Sequence, residues 1–453
     1  MCGLSGKWRS SPKNERQLGG DMPNLDRNGG TDFERAPLPP RFCNLDRLLH
    51  ALEARDLDGI VVTSPQNVFY LSGFNGVAHK SDEPRPYAVV LSRHAPESPI
   101  LVIMDCYVGT FLAQPSWIED LRPLRGVMAG HGGAPKPEDI DRFIPKAGAG
   151  LDWVERGRGN YAYDMASALQ SAMKDLGLDR GGVAFDDMGF GVRYGPEAIT
   201  IADGYDPMMY ARAVKTDTEL ALMARATQLN QTAIERTVAG WERGMSWRDL
   251  NRAYARTAVE LGGFVRDPGG MVLGHLCGGD RAITLQTGLE DFDIEPGMNV
   301  MFDCHGTLDL YCWDGGKSWI VGGAPEGEAK RRAQATAEVG QTVLAAMRPG
   351  VRVSALETTG REVYRKAGLP DADAAAIFFH GLGLSHMDLE QTTADGEPNG
   401  DWMLEEGMVV PIHLLYPGGE RDRSWLEEVA VVTADGGRPL FTWGFEPLMG
   451  GGG

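Results

Sequence analysis

The chain has 453 residues, enough for two or three domains, and a formal net charge of −19 at pH 7. That charge repels phosphate backbones and anionic lipid, which excludes nucleic acid and acidic membrane surfaces as partners. No apolar run reaches membrane-spanning length, and the first residues lack the apolar core of a secretory signal. The six cysteines (Cys2, Cys43, Cys106, Cys277, Cys304 and Cys312) show no paired ligand spacing and fit the reduced thiols of a cytoplasmic protein.

In chain order, residues 1–40 are rich in Gly, Pro, Asn, Arg and Asp, and predict an irregular N-terminal arm. Its start, Met1-Cys2-Gly3, resembles amidotransferases with an N-terminal cysteine nucleophile, but Gly19 to Pro40 cannot supply the β-rich domain those enzymes need. Leu45, Leu48, Leu49, Leu52 and Leu57 fall at helical spacing, and Gly59 closes that helix. Ile60–Thr63, Tyr87–Ser92, Ile100–Met104 and Gly181–Phe185 read as strands. Asp139–Ile144 and Tyr161–Leu176 read as helices, the second with an apolar stripe that is core.

A second region begins near residue 209. Thr216 and Glu219 form a capping box for a helix running to Gly240. Further helices are predicted over Trp247–Leu261, Glu328–Met347 and Ser354–Ala367. Between them lie Val300–Phe302, an apolar strand ending at Asp303, a turn around Gly306, and a strand Leu310–Trp313 that delivers Asp314. Two carboxylates brought close and buried repel each other unless a cation sits between them. His380 closes an apolar run. His413 and the pair Glu427-Glu428 lie on later apolar strands. His305, two residues past Asp303, shares its face on a regular strand.

In order and spacing these segments resemble the pita-bread metallopeptidase and creatinase superfamily. The resemblance rests on Asp303, Asp314 eleven positions later, His380 in His380-Gly-Leu-Gly, and Glu427 before the last long strand. Asn67-Val-Phe-Tyr70-Leu71-Ser-Gly73-Phe74 and Arg212-Ala-Val-Lys215-Thr-Asp-Thr-Glu219 extend it to the N-terminal half. It implies a creatinase-type α/β domain over residues 41–208 and an α+β pita-bread catalytic domain over 209–448. It also implies a divalent transition metal (Mn, Fe, Zn or Co) held by Asp303, Asp314, His380 and Glu427, with His305 as an auxiliary ligand. Where the family has a further glutamate, this chain has His413, which can ligate one metal but cannot bridge two.

The resemblance assigns catalytic roles to His386, to His413 when unligated, to Glu428 beside Glu427, and to His275. Gln286 stands where family peptidases keep a substrate-side histidine, seventeen positions before Asp303. Arg85, in Arg85-Pro86-Tyr87, becomes the anchor for a substrate carboxylate, contributed to the neighbouring site of a homodimer. Three activities follow from the scaffold. One is a prolidase or Xaa-Pro aminopeptidase acting on small peptides. Another is a small-molecule enzyme similar to creatinase, ectoine hydrolase or dimethylsulfoniopropionate lyase. The third is a binding module without catalysis.

Overall fold

The computed structural model describes residues 38–451 apart from 82, 113, 115, 130–135, 266–271, 274, 280–281, 287–290, 389–392 and 398–399, and gives no side-chain environment for 80, 129, 147, 272–273, 275–279 and 282–286. The arm therefore lies outside the described residues up to position 37.

The N-terminal sheet contains β1 (Gly59–Val62), β2 (Tyr87–Ser92), β3 (Ile100–Met104), β4 (Asp120–Leu124), β5 (Gly181–Phe185) and β6 (Ile199–Asp203), in the order β4-β3-β2-β1-β5-β6. β1–β2 and β2–β3 pair antiparallel, and the other pairs are parallel. Ile60, Val62, Tyr87, Val89 and Leu91 pack on one face, and Val61, Ala88 and Val90 on the other. A sheet covered on both faces needs apolar residues at every position, which is why these strands read as unbroken apolar runs. Three helices differ from the sequence expectation, the first of them ending at Ala54, so that Gly59 begins β1 instead of closing the helix. The stripe predicted from Tyr161 starts at Met165, because Asp164 caps it by accepting from the Ser167 amide. The predicted helix at 139–144 is a 3₁₀ segment, Pro137–Phe143.

The second sheet holds β7 (Val272–Leu273), β10 (Asn299–Phe302), β13 (Gly316–Val321), β14 (Ala376–Phe379), β15 (Val409–Tyr416) and β16 (Ser424–Thr433), with β17 (Gly436–Pro439) on β16 and β18 (Leu448–Gly450) on β13. Two hairpins stand off it, β8–β9 (His275–Gly279, Ala282–Gln286) and β11–β12 (Gly306–Leu308, Tyr311–Trp313). The sheet order is β14-β15-β16-β13-β10-β7. Helices Asp217–Ala239 and Trp247–Glu260 cover Val300, Phe302, Trp319 and Val321. Helices Gly327–Ala346 and Val353–Lys366 cover Val410, Ile412, Leu414, Leu426, Ala430 and Val432. The alternate residues, among them Met301, Leu415 and Trp425, pack together on the opposite face. The period of two therefore sends Asp303, His413 and Glu427 to that same inner face.

The turn between Asp303 and Asp314 is not where Gly306 suggested. Gly306 pairs with Trp313 inside the hairpin, and the chain reverses at Asp309 and Leu310, both at positive φ (50° and 69°). A Cβ on Gly306 would lie 2.3 Å from the Trp313 ring, so the glycine serves close packing rather than the turn.

The junction motif ties the two halves together. Thr216 and Glu219 form the predicted capping box. Asp186, just past β5, accepts from the Thr63 and Ser64 amides and from the Asn67 side chain. Asn67 Oδ1 in turn accepts from Arg212 Nη1 at 2.9 Å. Arg212 Nη2 donates to Ser385 Oγ at 2.8 Å and pairs with Asp388. A buried guanidinium thus joins the Asn67 motif to the loop that carries His386.

Candidate metal centre

His413 on β15 stands directly opposite Glu427 on β16 in the antiparallel register, with Phe378 on its other side. Phe378 stacks on the His413 ring at a centroid distance of 4.2 Å, and Trp425 meets its edge at 5.7 Å. His380 follows the end of β14, and Asp314 follows β12. Ligand atoms of Asp314, His380, His413 and Glu427 all lie within 4.8 Å of one another, and all four residues are buried. His380 Nε2 is 2.9 Å from His413 Nε2 and 3.5 Å from Asp314 Oδ2. His413 Nε2 is 3.2 Å from Glu427 Oε1.

These spacings suit a single cation. A transition metal about 2.1 Å from its ligands holds neighbouring ligand atoms roughly 3.0–3.4 Å apart. His380 Nδ1 faces the Gly381 carbonyl at 2.9 Å. A carbonyl only accepts, so Nδ1 carries the proton and Nε2 keeps its lone pair for the cluster. His413 Nδ1 and both oxygens of Glu427 are buried without hydrogen-bond partners. Such orphaned atoms cost stability unless something else satisfies them, and the donor set fits a divalent metal.

The electrostatics agree. Burial pushes the His413 imidazole down to about 3 and lowers that of His380, against the pull of Asp314, so both rings are neutral and able to ligate. Burial opposes ionisation of Asp314, but the hydrogen bond from His386 and its charge outweigh it and hold the carboxyl below its ordinary value. Glu427 is driven well up by burial and then by the Asp314 and Asp303 charges. Asp303, half-buried beside the group, is pushed up to about 7 by burial and then by Asp314.

A second constellation touches the first on its solvent side. His305, Asp314 and His386 offer ligand atoms within 4.8 Å of one another. His386 Nε2 is 3.0 Å from Asp314 Oδ2, and that contact raises the imidazole's affinity for a proton. The His305 and His386 rings are 5.1 Å apart.

One expected residue lies elsewhere. Glu428 follows Glu427 on a regular strand, so alternation turns it to the helix-covered face. There it accepts from the Phe441 amide at 3.2 Å and lies near Lys317, away from the cluster, which corrects its expected role as base. Arg85, expected to anchor a substrate carboxylate in the neighbouring site of a homodimer, forks onto Asp187 at 2.7 and 3.0 Å within its own chain. His275 and Gln286 are register partners in the β8–β9 hairpin, but their side chains lie outside the described residues.

The chain matches the family model for Metallopeptidase family M24 over residues 221–434 and that for the Creatinase/Prolidase N-terminal domain over residues 44–186. It is 29% identical over 235 residues to YkvY of Bacillus subtilis (strain 168), a protein provisionally named a dipeptidase. That match covers 50% of this chain and 59% of the relative. It is 24% identical over 227 residues to an uncharacterized peptidase of Staphylococcus aureus (strain Mu50 / ATCC 700699), covering 50% and 61%. The chain thus spans about three fifths of the length of these curated relatives. Among solved structures it is similar to a dipeptidase from Pyrococcus horikoshii OT3, with a TM-score of 0.64 and 17% identity over 90% of this chain and 99% of the other. An Xaa-Pro dipeptidase from Bacillus anthracis gives a TM-score of 0.60 and 18% identity over 90% and 99%. At such identities the likeness is one of fold.

Proposed function

Because the chain belongs to the pita-bread metallopeptidase and creatinase superfamily, we propose that it is a metal-dependent hydrolase of an amide- or peptide-type C–N bond in a small carboxylated substrate. The observation that carries this reading is the convergence of Asp314, His380, His413 and Glu427 on one buried point, with orphaned carboxylate oxygens. Asp314, His380, His413 and Glu427 would hold the metal, with Asp303 at its margin and His305 on the solvent side. Such a metal polarises a carbonyl and lowers the pKa of water toward neutrality.

The protein's own groups supply the rest. Asp314 orients His386 and favours its protonated form. From that half-exposed position His386 would donate to the reacting carbonyl oxygen and later carry a proton to the leaving nitrogen. The buried ring of His413 stays neutral and serves as ligand rather than base. In a homodimer, Arg85 would have to exchange Asp187 for a substrate carboxylate, so Arg85→Met would raise KM with little change in kcat.

A second reading is favoured by His413. Two imidazoles with carboxylates form a more nitrogen-rich set than the family's carboxylate pattern, and suit a single iron or zinc ion. That supports a small-molecule specialist, including a lyase, on the same scaffold. Elemental analysis of protein purified without added metal, followed by assays on Gly-Pro, Ala-Pro-Pro, creatine, ectoine and dimethylsulfoniopropionate, separates the two. Dipeptide turnover supports the first. Bound metal with turnover of only the small molecules supports the second. Protein that binds no metal and turns over nothing would sink both.

A further inference from the structure

We infer that Asn230, Tyr254 and Trp313 form a positioning relay that fixes both aspartate-bearing segments of the metal centre from behind. The inference rests on the metal reading above. Asn230 is fully buried on helix Asp217–Ala239. Its amide nitrogen faces three backbone carbonyls: Gly315 at 3.0 Å, and Cys304 and Asp314 at 3.4 Å each. Cys304 follows Asp303 in the chain, and Gly315 follows Asp314. One side-chain amide therefore grips the backbone at both aspartates, which arrive on different strands. The Cys304 amide closes the same joint by donating to the Gly315 carbonyl at 3.2 Å.

The amide's own orientation is set from the neighbouring helix. Tyr254, on Trp247–Glu260, donates its hydroxyl proton to Asn230 Oδ1 at 2.8 Å. The Trp313 indole N–H donates to the same hydroxyl at 3.0 Å. With Oδ1 committed to the tyrosine, the NH₂ end of Asn230 can only face the carbonyls. Trp313 is the residue immediately before Asp314. Its ring is clamped between Gly263 and Gly306, where an added Cβ would approach to 2.5 and 2.3 Å. All three side chains are fully buried, and none belongs to the cluster of ligand atoms. The relay therefore acts through the backbone: it holds two mutually repelling carboxylates at a fixed separation before a cation arrives. Outer partners of this kind typically change metal affinity by about 10–100-fold when lost.

The test uses the full chain, with Co(II) as probe, by titration calorimetry and visible absorption. Tyr254→Phe removes only the hydroxyl that orients Asn230. Asn230→Ser shortens the amide away from the carbonyls. Trp313→Phe removes only the indole donor. Each is expected to weaken Co(II) binding at least tenfold and to alter the cobalt absorption bands, with Trp313→Phe the mildest. Tyr364→Phe, which removes a buried hydroxyl bonded to Thr336 Oγ1 at 3.1 Å in the other helix pair, is the control. It should lower the melting temperature and leave Co(II) affinity unchanged. Variants that melt lower but bind Co(II) like wild type would make the relay merely structural and overturn the inference. Wild-type protein that binds no Co(II) would overturn the metal reading as well.

Discussion

Replacing His413 by glutamate puts a third carboxylate where a neutral imidazole stood. His413 Nε2 lies 3.2 Å from Glu427 Oε1, and both residues are buried. Two full charges at that separation, at an effective dielectric of about 20, repel by roughly 5 kcal/mol. Without a cation, His413→Glu must take up a proton or lose up to that much stability. With a divalent cation, a group able to span two ions replaces one that can hold only one. The gap in melting temperature between metal-loaded and chelator-treated protein should therefore widen in the variant, and bound metal per chain should rise. Scanning calorimetry with and without EDTA, together with elemental analysis, measures both. An unchanged gap and unchanged metal content would take His413 out of the site, and the convergence argument with it.

Arg212→Met leaves Asp388 buried with no counter-charge, and should cost about 3–5 kcal/mol in urea unfolding. The pair of changes Arg212→Met and Asp388→Leu should recover most of that loss, and a double variant as unstable as the single would refute the pairing. Glu219 is fully buried, and burial pushes its carboxyl up from 4.5 to about 7. Its contribution is complete below the unfolded-state value and is lost as pH rises through 7, because the unfolded chain ionises first. Wild type should lose about 3 kcal/mol between pH 4.5 and 7 through this group, and Glu219→Gln should flatten that slope in urea melts taken across the interval.

The order and spacing of Asp303, Asp314, His380 and Glu427 were legible because each sits at the end of, or within, a short apolar strand. The alternation that sends Glu428 to the other face is equally legible, since it needs only a period of two. Gly306 misled for a different reason. A glycine that clears space for an indole and a glycine that makes a turn look alike in sequence, and here Leu310 takes the positive φ instead. The Arg85–Asp187 fork spans 102 residues and leaves no local trace. Nor does Asn230 show itself, for a lone asparagine on an otherwise apolar helix face acquires meaning only when three carbonyls from distant strands converge on it.

β16 is buried on both sides and carries two consecutive glutamates, so its hydrophobic pattern alone would tolerate sitting one residue out of frame. In the shifted frame Glu428 would enter the ion site and Glu427 would meet Lys317. Trp425 breaks that near-degeneracy. Its backbone amide donates to Ser318 Oγ and its indole to the Phe302 carbonyl, each at 2.9 Å. In the shifted frame the side chain would turn to the helix-covered face and lose its bond to the Phe302 carbonyl. The indole thus works as an alignment key, deciding which of two neighbouring acids becomes the ligand.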